Sequence, residues 1–255
     1  MKRNFNIKWI QVGAMLLTLL TTGCSLFDME LQENYDYEHK TLDPNIGISA
    51  KKFLEDRSYG TPEKPTDTVF KWMRMGMEYA GIDLNEFEKS DRTFIFLHND
   101  AVKIWDAKTK KVTGGLFFDF PIVTGMDGAG TPLTRPATKW EDYSKEDVRN
   151  YFLYLILEGK YNFADLSINN VKAKTLLPAN TVASKGSLLG YMNEEKGFDQ
   201  EGAMYLKLVN NNDLAPIQIN NKTTNRSGGY GVTNGVVHVY GVKGNTTVYP
   251  FMSKQ

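Results

Sequence analysis

Apolar positions are spread unevenly along this chain, and their spacing predicts its elements one after another. From Trp9 to Leu20 they form a single short run behind Lys2, Arg3 and Lys8. Such a run is too short to cross a bilayer comfortably and has the flanks of a signal peptide. Over residues 67–80 the spacing turns helical. Val69, Met73, Ala80, Phe70 and Met77 make one stripe, Trp72, Met75 and Tyr79 a second, and only Lys71, Arg74 and Glu78 form a polar line. A helix apolar over so much of its girth is expected to be buried, capped by Thr66 or Asp67 and ended by Gly81. Its methionines and aromatics read as core, not as a cofactor box.

A strand is predicted over residues 91–101, running into a polar turn. A second helix starts at Ser144, with Asp147 three residues on in capping-box spacing. It carries Val148, Phe152, Leu155 and Ile156 on one face, up to Gly159. The C-terminal part reads as strands at 203–209, 214–219 and 235–240, the first two split by Asn210-Asn211-Asn212-Asp213. Helices first and antiparallel strands later predict an α+β fold. Its expected organisation is a leader at 1–23, a tether at 24–46, a domain at 47–242 and a tail at 243–255.

The leader ends in Leu20-Thr21-Thr22-Gly23-Cys24, and Cys24 is the only cysteine in the chain. A lone cysteine directly behind an apolar run predicts cleavage before Cys24 and its lipidation; ordinary cleavage and an uncleaved anchor are the alternatives. An acylated Cys24 leaves no thiol for a disulfide, a zinc site or a nucleophile, and two or three acyl chains suffice to hold the protein to a membrane. Residues 25–39 contain Asp28, Glu30, Glu33, Asp36 and Glu38 without one Lys or Arg. They read either as a solvated tether or as an acidic export signal, which would place the protein on the outer membrane facing outward. The chain carries 30 basic and 30 acidic side chains. Loss of the three leader bases makes the remainder slightly acidic, a balance that argues against a nucleic-acid partner.

Catalytic signals are missing from the sequence. His39, His98 and His238 do not share a zinc-binding spacing. There is no Gly-x-Ser-x-Gly elbow and no phosphate-cradling Gly-Lys-Ser/Thr loop. Ser49-Ala50-Lys51-Lys52 matches Ser-x-x-Lys without its partner motifs, and the acid pairs Glu141-Asp142, Glu146-Asp147 and Glu194-Glu195 read as solvated surface. Gly125 to Gly130 reads as a tight turn more readily than as an anion cradle. His238 alternates with valines, so it is expected to be structural. Neither an enzyme, nor a metal site, nor a cofactor is expected. The connection at 106–140 is long for a compact domain. Trp105, Trp140 and Tyr143 beside it, with Phe117, Phe118 and Phe120 inside it, are either ligand platforms or the packing of a hairpin.

Three segments in order carry a resemblance. Asp91 to Val102 resembles the first signature of fasciclin-like domains: Thr93, Asn99 and Ala101 match, while Leu97 replaces the usual proline and Val102 the usual phenylalanine. Leu153 to Tyr161 is similar to the central segment, with Tyr154 kept and Leu155 where a histidine is usual. Asn234-Gly235-Val236-Val237-His238-Val239-Tyr240-Gly241 resembles the closing motif. The resemblance implies a wedge of two antiparallel β-sheets flanked by helices, with Thr93, Asn99, Ala101, Tyr154, Asn234, Gly235 and His238 as framework. It also implies a non-enzymatic role in adhesion or binding to glycan, matrix or a surface protein. An alternative role is glycan capture beside an outer-membrane transporter. The missing histidine removes integrin-type binding from what can be carried over.

Overall fold

The computed structural model describes residues 44–182, 187–189, 201–210, 216–221, 223–242 and 249–250. The expected leader, Cys24, the acidic segment, Glu194-Glu195 and the expected tail apart from residues 249–250 fall outside the described residues. The described chain enters against a sheet: Ile46 N–H donates to the Gly231 carbonyl at 2.9 Å.

Helix α1 (Ala50–Asp56) buries Ala50, Phe53 and Leu54. Its N-cap is Ser49, whose hydroxyl accepts from the Lys52 N–H; the Ser-x-x-Lys match is a capping motif. Helix α2 (Lys71–Ala80) buries Met73, Gly76, Met77 and Ala80, with Trp72, Met75 and Tyr79 packed on the core margin. It begins later than predicted, because neither Thr66 nor Asp67 caps it. Asp67 is drawn instead to Arg57, Nε to Oδ2 2.9 Å. The helix ends as predicted, on Gly81 at φ 67°, a left-handed conformation that glycine adopts without strain. A 3₁₀ turn (Leu84–Glu88) follows.

Strand β1 (Arg92–Leu97) stops before the predicted limit, and Asn99–Val102 form a short helix, α3. The long connection then resolves into elements. β2 (Ile104–Asp106) and β3 (Lys111–Gly114) form a hairpin, α4 (Leu116–Asp119) is a helical turn, and β4 (Ile122–Met126) pairs with β5 (Pro132–Arg135) in a second hairpin. A 3₁₀ turn (Trp140–Asp142) leads to α5 (Lys145–Tyr154), where Ser144 Oγ accepts from the Asp147 N–H at 3.1 Å. Helix α5 ends at Tyr154, short of Gly159, because Ile156–Glu158 pair with β1 as strand β6. Helices α2 and α5 approach closely at Gly76: a Cβ there would meet the Trp140 and Phe152 rings at 2.6 Å.

β6, β1, β12 (Gly235–Tyr240) and β11 (Ser227–Val232) make one four-stranded sheet. The second sheet joins β7 (Val171–Lys174), β8 (Ala203–Leu208), β9 (Ile217–Ile219) and β10 (Thr223–Thr224), all antiparallel. Mixed helix and sheet bear out the α+β class. The expectation of two antiparallel sheets is corrected, since β1 and β12 run parallel, Arg92 opposite Gly235 through Leu97 opposite Tyr240. Strands far apart in sequence need no hairpin, and these two are the inner pair of their sheet. All six residues of β12 and five of β1 are buried, the near-continuous apolar run typical of strands covered on both faces. The second sheet is tied to the first at the β6 edge, where Leu176 N–H donates to the Ile156 carbonyl at 2.9 Å. Tyr249 also belongs to the packed unit: its hydroxyl donates to Asp119 Oδ2 at 2.6 Å and its ring stacks edge-on to Phe120.

Candidate functional site

The three aromatic residues proposed as ligand contacts part company. Trp140 is 2 % exposed and Tyr143 7 %, whereas Trp105 is 49 % exposed. The Trp140 indole packs against Phe117 and Phe152 at 5.0 and 5.3 Å between centroids, and its Nε1–H donates to the Trp72 carbonyl at 2.7 Å. The Tyr143 hydroxyl donates to the Phe120 carbonyl at 2.7 Å, and burial holds its pKa far above the ordinary range. Both residues are core, which corrects their reading as ligand contacts. Their apolar rings are consumed in packing α4 against α2 and α5. Phe117 and Phe120 are buried with them, while Phe118 is exposed.

The residues matching the fasciclin-like motifs are hydrogen-bonded into the framework. Thr93 Oγ1 donates to the Gly159 carbonyl at 2.8 Å and accepts from the Tyr161 N–H at 2.9 Å, closing the turn after β6. Asn99 accepts from the Trp72 N–H at 3.0 Å and donates to the Thr68 carbonyl at 2.7 Å. Ala101 is buried in α3. The Tyr154 hydroxyl accepts from Asn220 Nδ2 at 2.7 Å, linking α5 to the second sheet. Asn234 accepts from the Ala50 N–H at 2.9 Å and donates to the carbonyls of Phe87 and Lys89 at 2.8 and 3.0 Å. At Gly235 the backbones of β12 and β1 meet so closely that a Cβ would lie 2.1 Å from the Arg92 carbonyl oxygen.

His238 is fully buried. Its Nδ1 accepts from the Gly229 N–H at 3.1 Å, so Nε2 carries the proton and donates to the Tyr161 carbonyl at 2.7 Å. Desolvation drops its pKa to about 4, against a smaller raising effect of the bond to Tyr161. The imidazole is neutral, and both nitrogens are used.

An open surface remains around Trp105. The Lys103 ammonium lies 4.5 Å from the Trp72 ring centroid and 5.1 Å from that of Trp105, cation–π contacts to two indoles. It also donates to the Thr138 carbonyl at 3.1 Å, and partial burial lowers its pKa. Lys103 and Trp72 were absent from the sequence-based set. Lys103 is two positions from Trp105, a spacing that alternation in a strand would have flagged; Trp72 arrives from α2 and had no local signal.

The glycine-rich segment at 125–130 is the end of β4 and the turn into β5. Asp127 Oδ1 accepts from the N–H groups of Ala129 and Thr131 at 2.9 and 2.7 Å, so the protein's own carboxylate occupies the donors an external anion would use. Arg135 Nη2 contacts Asp142 Oδ1 at 2.9 Å, and that carboxyl is held well below its usual pKa chiefly by this bond. Asp142 thus anchors the end of the hairpin, and no paired-carboxylate chemistry with Glu141 follows from it. Among the described residues, no group of three or more His, Cys, Asp or Glu converges. No family model matches the chain, and no curated protein matches it in sequence.

Proposed function

We propose that this protein is a fasciclin-like, non-enzymatic binding or adhesion lipoprotein. In this reading acylated Cys24 anchors it to the outer membrane and its domain faces outward, toward a glycan, a matrix component or another surface protein. One observation carries the family reading. The first and closing motifs, distant in sequence, are adjacent parallel strands in register, Thr93 opposite Val236 and Ile95 opposite His238. Motif polar residues hydrogen-bonded to backbone and side chains of the fold suit a scaffold whose chemistry lies in its surface. Two four-stranded sheets with helices against them are compatible with a wedge.

The half-open indole of Trp105 favours a second reading, glycan capture beside an outer-membrane transporter, since an exposed ring presents an apolar face with a polar edge.

The test is metabolic labelling with palmitate, together with protease treatment of intact cells. The wild-type chain is expected to take up label and to be digested from outside, and Cys24→Ala to lose the label. Label retained by Cys24→Ala, or full protection of the wild-type chain in intact cells, would refute the surface-lipoprotein reading.

A further inference from the structure

We propose that the β2–β3 hairpin, with Trp105 at its open face, is a binding surface for an acidic polysaccharide, one bearing uronate or sulfate groups. This names the ligand class of the binding role above and rests on that reading.

The hairpin concentrates positive charge in a chain that is neutral as a whole. Lys103, Lys108, Lys110 and Lys111 lie on it, the last three exposed. Lys71 precedes Trp72, and Lys139 follows the Thr138 carbonyl that holds Lys103; both are exposed. Among the described residues, none of these six lysines forms an ion pair.

The hairpin's one acid, Asp106, stands opposite Lys111 across the two strands and offsets only part of this charge, leaving an excess of cations. The Asp106 carboxylate is spent on the turn, accepting from the Lys108 N–H at 2.8 Å and the Thr109 hydroxyl at 2.8 Å. Lys110 sits at φ 55°, a left-handed conformation that glycine or asparagine would take with less strain.

Charge and ring together select the ligand. Lys103 contacts the indoles of both Trp72 and Trp105, and the Trp105 ring remains half exposed. A pyranose stacks its C–H face on such a ring, and its carboxylate or sulfate accepts from the flanking ammonium groups. A single-stranded nucleic acid is the poorer fit, because it calls for several successive stacking platforms, and Trp105 is the one aromatic ring the β2–β3 hairpin itself carries.

Binding is measured on the full-length lipoprotein in neutral detergent, by titration with polygalacturonate and chondroitin sulfate. Dextran and a single-stranded oligonucleotide serve as controls. The acidic polysaccharides are expected to bind and dextran not to. Trp105→Ala should weaken binding about tenfold, and Lys108→Gln/Lys110→Gln/Lys111→Gln should weaken it and flatten its salt dependence, both variants remaining cooperatively folded with a melting temperature lowered by no more than about 4 °C. Three results would overturn the inference: acidic polysaccharide bound equally by wild type and both variants, dextran or oligonucleotide bound as tightly as the acidic polysaccharides, or no acidic polysaccharide bound at low salt. None of them touches the surface-lipoprotein reading, which palmitate label and protease access decide separately.

Discussion

Asn99 completes the first turn of a helix that begins 28 positions before it: its Oδ1 accepts the Trp72 N–H at 3.0 Å, while its Nδ2 donates to the Thr68 carbonyl. The local N-cap, Phe70, has no side-chain oxygen to offer. A donor that local sequence leaves orphaned is satisfied from α3, so one asparagine fixes α2 against the end of β1. Asn99→Ala should therefore lower unfolding stability by about 1–2 kcal/mol. Asn99→Asp, which keeps the acceptor, should lose less. Denaturant melts of the three proteins test this, and an alanine variant as stable as wild type would refute the capping role.

His238 gives stability a pH dependence with a defined sign. Its pKa falls from 6.5 to about 4 on folding, so the unfolded chain binds a proton that the folded chain refuses. The stabilisation is full above the unfolded value and is lost as pH falls from 6.5 toward 4. The stability difference between wild type and His238→Gln should shrink by about 3 kcal/mol from pH 7 to pH 4. Equilibrium unfolding at several pH values measures it, and a difference independent of pH would mean the imidazole is not buried and neutral.

Gly235 is required by close approach and not by an unusual dihedral. A methyl group there would strike the Arg92 carbonyl oxygen, which is backbone and cannot swing aside. Gly235→Ala should separate the inner strands of the first sheet and destabilise the fold by about 1–3 kcal/mol or more. Thermal unfolding checks it; an unchanged midpoint would contradict the β1–β12 register.

Trp105 and Trp140 should behave oppositely on truncation. Trp140→Ala empties a site between Phe117 and Phe152 and should cost about 3–5 kcal/mol. Trp105→Ala removes a half-exposed ring and one cation–π contact, worth about 1 kcal/mol or less. Chemical denaturation of both variants tests the contrast, which fails if the two lose stability equally.

Patterns confined to one element were legible without coordinates. The apolar stripes of α2, its Gly81 stop, the Ser144 cap of α5 and the span of β12 follow from short-range spacing and local backbone preference, which every residue carries with it wherever the chain goes. Choices between elements were not legible. Whether Asp67 caps a helix or pairs with Arg57, whether residues 156–158 extend a helix or join β1, and whether Trp140 faces water or Phe152 depend on which partner arrives. The parallel pairing of β1 with β12 and the contact of Lys103 with both Trp72 and Trp105 have the same origin. Each is a competition among hydrogen-bond acceptors or apolar surfaces that are remote in sequence. Only the folded chain brings the competitors within reach of one another.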